Sequence, residues 1–184
     1  MISILTPKRA TDVYSCDVTA QTVPCVRYSH STGLPNMRDD EAVNRNELKQ
    51  YASTPYTVLM DCDVVLTDPT TLEQMVKFLD DYSDVPAVAV DTKGQDDDSL
   101  ARACDIGHTV IALIMIRKPI LDMIVFSHIK AFNKYGDDFR QRACIRTPEI
   151  KKGLCGCMAV NRQIRSFTGW PVPYLRGVRA TEKK

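Results

Sequence analysis

Short strand-length runs separated by helix-patterned segments constrain this chain more than any other feature. Ile2-Ser3-Ile4-Leu5, Cys25-Val26-Arg27-Tyr28, Tyr56-Thr57-Val58-Leu59-Met60, Pro86 to Val90 and His108 to Ile116 are all short and rich in apolar or β-branched residues. Tyr56 to Met60 reads as a buried strand, and His108 to Ile116 as a long apolar one. Between them, Thr11 to about Thr22, Ala42 to Ala52 and Thr71 to Tyr82 read as helices, and Pro119 opens another. Leu72, Met75, Val76 and Leu79 recur at helical spacing on one face. Asp68 reads as a cap, with Pro69 in the first turn after it. A late helix is read at about Gly156 to Ser166. This alternation predicts an α/β fold: a mostly parallel sheet flanked by helices, in a single compact domain over residues 1–184.

The run Tyr56 to Met60 ends in Asp61-Cys62-Asp63. Ligands of open α/β sheets bind at the carboxyl ends of strands, which is where this pair falls. If the backbone stays extended there, Asp61 and Asp63 point to one side and Cys62 to the other. Two hard oxygen donors so placed suit Mg²⁺ or Mn²⁺, and two close carboxylates need a cation or a proton between them.

Charge is unevenly spread. Residues 1–116 carry 9 Lys/Arg against 18 Asp/Glu, and residues 117–184 carry 15 against 5, so balances of −9 and +10 hide inside a net +1. Lys130, Lys134, Arg140, Arg142, Arg146, Lys151, Lys152, Arg162 and Arg165 form the basic stretch. It is either a solvated face balancing an acidic one or a surface for a polyanion. Seven cysteines without framework spacing read as reduced thiols of a cytoplasmic protein, and Cys155-Gly156-Cys157 as core thiols. No secretory leader is read at Met1 to Pro7, and the longest apolar run, Val110 to Ile116, is too short to cross a bilayer.

Asn44-Arg45-Asn46-Glu47-Leu48, Ala52 and Thr54 to Val64 together resemble the core of family-2-type glycosyltransferases of GT-A fold, with their Arg-Asn helix, strand and DxD-type motif. The likeness covers most of the chain loosely, with Trp170 to Leu175 resembling the family's last strand, and is specific around residues 44–66. It implies an inverting transfer of sugar from a nucleotide-sugar donor to a hydroxyl. Residues 1–90 would bind the nucleotide and residues 91–184 the acceptor. It places the metal pair, for Mn²⁺ or Mg²⁺, on Asp61 and Asp63, and nucleotide contacts on Thr6, Pro7, Arg9, Ser29, Arg45 and Asp61. The family's catalytic base falls on Asp138 or Glu149, and no late histidine stands where many GT-A enzymes place a metal ligand. Given the basic second part, the acceptor is expected to be anionic, with hydroxylated-base DNA ahead of a phospholipid-linked carrier, and the chain itself to be of viral or bacterial origin.

Two other readings fit the same residues. Val58 to Asp68 also resembles the nucleophile strand of haloacid-dehalogenase-type phosphatases, with Asp61 attacking phosphorus. Against it, Val64 stands where that pattern has glycine, and the motif is not on the first strand. A binding module that keeps the fold without turnover is the third reading.

Overall fold

The computed structural model describes residues 1–8, 18–30, 37–92, 112–126 and 156–182. Strands β1 (Ile2–Pro7), β2 (Cys25–His30), β3 (Tyr56–Met60), β5 (Ala87–Asp91), β6 (Leu113–Arg117) and β7 (Tyr174–Arg179) form one sheet in the order β2-β1-β3-β6-β5-β7. The pairs β1–β2, β1–β3 and β5–β7 are parallel, and β6 runs antiparallel to both its neighbours. The expected mostly parallel sheet is therefore present, with one reversed strand. A two-stranded ribbon pairs β4 (Val64–Val65) with β8 (Thr181–Glu182).

Helices cover both faces, which is why the central strands are apolar without alternation. On one face, Val58 and Met60 of β3 and Leu113 and Met115 of β6 pack with Leu72, Met75 and Leu79 of α2 (Thr71–Asp81). On the other, Leu59, Ile114 and Ile116 meet Leu48 of α1 (Met37–Leu48), Leu121 of α3 (Lys118–Met123), and Val160 and Ile164 of α4 (Gly156–Thr168). Each of these large aliphatic side chains, fully buried, contributes about 1.5–3 kcal/mol by leaving water.

The elements differ from the sequence reading in ways that have physical causes. The helix expected at 42–52 begins at Met37 and ends at Leu48, and Lys49–Tyr51 follow as a 3-10 turn. Val18–Ala20 is likewise a 3-10 turn, and residues 11–17 of the expected first helix lie outside those described. Of the strand expected at 108–116, the described part runs from Leu113 to Arg117.

The last strand is displaced further. It begins at Tyr174 and runs through Arg176, Gly177 and Arg179. Its register against β5 slips between Ala89 and Asp91, and Gly177 sits at φ 75°. Glycine takes that left-handed conformation without steric cost, and an irregular edge strand leaves outward positions free to be charged, so the hydrophobic pattern weakens there.

Helix α2 starts at Thr71, as expected, but its N-cap is Thr70 and not Asp68, and Pro69 lies before that N-cap. No local side chain caps it. Gln21 does so from 51 residues away: its Oε1 accepts from the Leu72 amide at 3.1 Å, and its Nε2 donates to the Asp68 carbonyl at 3.0 Å. Asp68 instead closes the preceding turn, its Oδ1 accepting from the Thr70 hydroxyl at 2.7 Å and the Thr70 amide at 2.8 Å. These bonds, with the hydroxyl first, hold the Asp68 carboxyl below its usual range. Its contribution to stability is thus complete above the unfolded-state pKa and is lost as pH falls through the lowered folded value. Urea midpoints measured below about pH 4 should fall less steeply for Asp68→Asn than for the parent chain. Parallel curves would show that Asp68 does not couple folding to pH.

Candidate functional site

The carboxyl ends of β1, β2, β3 and β5 lie along one edge of the sheet, since all four run the same way relative to β6. The Asp61 amide donates to the Ala112 carbonyl at 3.0 Å, one step beyond the β3–β6 ladder. The chain then turns: the Val64 amide donates to the Asp61 carbonyl at 3.3 Å, and Val64–Val65 enters the ribbon with β8. The extended backbone on which both carboxylates would project to one side is therefore absent. Asp61, Cys62 and Asp63, all half-buried, occupy a tight turn anchored at both ends.

Helix α1 presents three consecutive residues to this edge. Successive side chains are about 100° apart around a helix, so they reach three different elements. Asn44 Oδ1 lies 2.8 Å from His30 Nδ1 at the end of β2. Arg45 Nη2 donates to Asp61 Oδ1 at 2.7 Å. Asn46 exchanges two bonds with the backbone of residue 126: its Nδ2 donates to the Phe126 carbonyl at 2.6 Å, and its Oδ1 accepts from the Phe126 amide at 3.1 Å. The Phe126 ring in turn lies 5.9 Å from the Arg45 guanidinium carbon. Lys49, a turn later, donates to the Asp122 and Ile124 carbonyls at the end of α3, and burial lowers its pKa while Asp122 opposes that shift.

Of the other expected nucleotide contacts, Thr6 and Pro7 are buried at the end of β1. The Thr6 hydroxyl has no hydrogen-bond partner among the described residues. Ser29, expected in a loop, is inside β2 and exposed, opposite Thr6 in register. Arg9, Asp138 and Glu149 lie outside the described residues, as do the basic positions from Lys130 to Lys152. Sequence reasoning passed over Asp91, a carboxylate only 3% exposed at the end of β5. It stands two strand spacings from β3, about 10 Å, on the same edge, and a strand read as ending at Val90 left it unexamined.

Among the described residues no group of three His, Cys, Asp or Glu is arranged to hold a metal ion. Asp61 and Asp63 alone do not make an all-protein cage. They do fit a cation that takes one or two carboxylates and completes its shell with phosphate oxygens and water.

The chain superposes on solved structures over nearly its whole length. The chain has a GT-A-like fold. It superposes on the mannosyltransferase PcManGT from Pyrobaculum calidifontis, solved with GDP-Man and Mn²⁺, at a TM-score of 0.57 and 11% identity, covering 98% of this chain and 56% of that one. The S. aureus TarS 1–349 structure with UDP-GlcNAc gives 0.58 at 12% identity, with coverages of 100% and 59%. A197 from STIV gives 0.50 at 9% identity, with coverages of 100% and 85%. The chain thus spans little more than half the length of the first and second of these. No protein-family model matches the sequence. A search of curated proteins finds no match either. In this GT-A-like frame the acidic turn, Arg45 and the ends of β1 and β2 gather at one edge of the sheet.

Proposed function

We propose that the chain transfers a sugar from a nucleotide-diphosphate sugar to a hydroxyl acceptor. The observation that carries this reading is the Asp61–Asp63 turn, anchored at the carboxyl end of β3 and engaged by the buried Arg45, on the binding edge of a GT-A-like sheet. In this reading Asp61 and Asp63 hold Mn²⁺ or Mg²⁺. When bound, the cation supplies neutralisation of the charge that develops on a departing diphosphate. Arg45, with Thr6, Pro7, Arg9 and Ser29, holds the nucleotide. Glu149 or Asp138 takes the acceptor proton, the attack inverts the anomeric centre, and the basic second part of the chain receives an anionic acceptor. Hydroxylated-base DNA ranks ahead of a phospholipid-linked carrier. Among the described residues no helix is long and apolar enough to cross a membrane.

A screen of nucleotide sugars for thermal stabilisation, with and without Mn²⁺, tests the donor, because a ligand bound only by the folded state raises its melting temperature. At least one nucleotide-diphosphate sugar should stabilise the chain in a Mn²⁺-dependent way and release its nucleoside diphosphate when an acceptor is present. Stabilisation without release under every acceptor tried selects the non-catalytic binding module. Absence of stabilisation by any of them ends the donor assignment. Binding to duplex DNA across a salt series, repeated with anionic vesicles, separates the two acceptors.

A further inference from the structure

We propose that Arg45 couples cation binding to diphosphate binding, by serving as the counter-ion of Asp61 until a diphosphate arrives. The inference rests on the nucleotide-sugar reading and adds a residue that makes cation loading conditional.

The geometry is asymmetric. The Arg45 side chain is 5% exposed and that of Asp61 is 39% exposed, with 2.7 Å between Nη2 and Oδ1. The guanidinium is also flanked by Phe126, whose backbone Asn46 clamps from the neighbouring helix position. A guanidinium buried in such a setting has already given up its hydration and depends on the Asp61 carboxylate as its partner. Asp61 is accordingly already compensated, and a fixed positive charge stands beside it.

A divalent cation arriving alone meets a carboxylate whose charge is spent and a guanidinium that repels it. A diphosphate removes this obstacle, because its negative charge faces both the cation and Arg45. Cation and diphosphate then bind cooperatively, each strengthening the other by the same factor. Arg45 acts through Asp61 and is a positioning residue. A purely structural role predicts the opposite sign when its charge is removed: the turn loosens and cation affinity falls.

The test is Mn²⁺ binding, followed by the paramagnetic resonance signal of the free ion, alone and with inorganic pyrophosphate, UDP or GDP. In the parent chain Mn²⁺ alone should bind weakly, and at least one of the three anions should tighten it by about fivefold or more. Arg45→Gln removes the charge and keeps a planar donor. It should bind Mn²⁺ alone about tenfold more tightly, with the coupling factor falling toward one. Arg45→Lys, which keeps the charge, should retain the parent pattern. If Arg45→Gln does not fold, Arg45→Met takes its place. Unchanged or weaker Mn²⁺ binding in the folded neutral variant overturns the role of Arg45 and leaves the donor reading standing. A parent chain that binds Mn²⁺ equally well with and without the anions overturns the coupling itself. A parent chain that binds neither the ion nor the ion with any of the anions overturns both.

Discussion

Asp63→Asn should abolish Mn²⁺-dependent nucleotide binding while melting within about 1–2 °C of the parent chain, and Asp61→Asn should lose the same binding and also melt lower. The two carboxylates sit two residues apart in one turn, yet their surroundings differ. Asp63 makes no ion pair among the described residues, so its neutralisation resembles a surface change, worth within about 0.5 kcal/mol. Asp61 accepts from a guanidinium that is nearly inaccessible to water. Removing that partner leaves a buried charge uncompensated, and the cost is held to about 1–3 kcal/mol because Asp61 itself is partly exposed. For a chain of this length that is roughly 3–10 °C. Turnover in either variant should fall by about a hundredfold or more, the scale of losing cationic stabilisation of a leaving diphosphate. Calorimetric titration with Mn²⁺ and nucleoside diphosphate, paired with thermal melts, reads both effects. Unchanged Mn²⁺ affinity in both variants would sink the metal assignment, and equal melting temperatures would show that the Arg45–Asp61 pair contributes nothing to stability.

Arg117→Ala should be the most destabilising single change outside the aliphatic core. Arg117 ends β6 and reaches under the carboxyl end of α2. Its Nη2 donates to the carbonyls of Leu79 and Tyr82, its Nε to the Val85 carbonyl at 2.8 Å, and its Nη1 to the Tyr56 hydroxyl at 3.3 Å. The guanidinium carbon lies 5.5 Å from the Tyr56 ring centroid, and Tyr56 donates in turn to Asp80. A cation at a helix carboxyl end offsets the helix dipole and the orphan carbonyls left there. Losing it strands three carbonyls at once, for about 2–4 kcal/mol, or a melting shift of roughly 5–15 °C. Arg117→Lys should recover less than half, since one ammonium cannot match a planar fork whose nitrogens serve separate acceptors. A shift of less than about 2 °C in Arg117→Ala would show that water replaces the guanidinium without loss.

Much of the architecture could be read from residue order. The period of Leu72, Met75 and Leu79 located α2 and its buried face, because 3.6-residue spacing has no other use in a short amphipathic segment. The apolar runs at β3, β5 and β6 signalled strands, which the helices cover on both sides. The acidic pair fell at the carboxyl end of β3, where the strand pattern had put it. Strand β7 was expected too early, at Trp170 to Leu175, because an irregular edge strand carries little hydrophobic alternation to mark its bounds. The ribbon of β4 and β8 escaped because two residues make no periodic signal, and their partner is more than a hundred positions away.

What the sequence by itself determined is the set of elements and the chemistry available at the sheet edge: which segments bury both faces, which bury one, and where two carboxylates meet a strand end. These are local properties of spacing and side-chain type. The tertiary structure alone decided which group answers which. Gln21 caps α2 from 51 residues away, Arg45 neutralises Asp61 across 16, and Asn46 holds residue 126 across 80. Each of these pairings satisfies a polar group that burial would otherwise leave stranded. Many side chains along the chain could have supplied each partner, and only the packed sheet and helices bring one of them within reach.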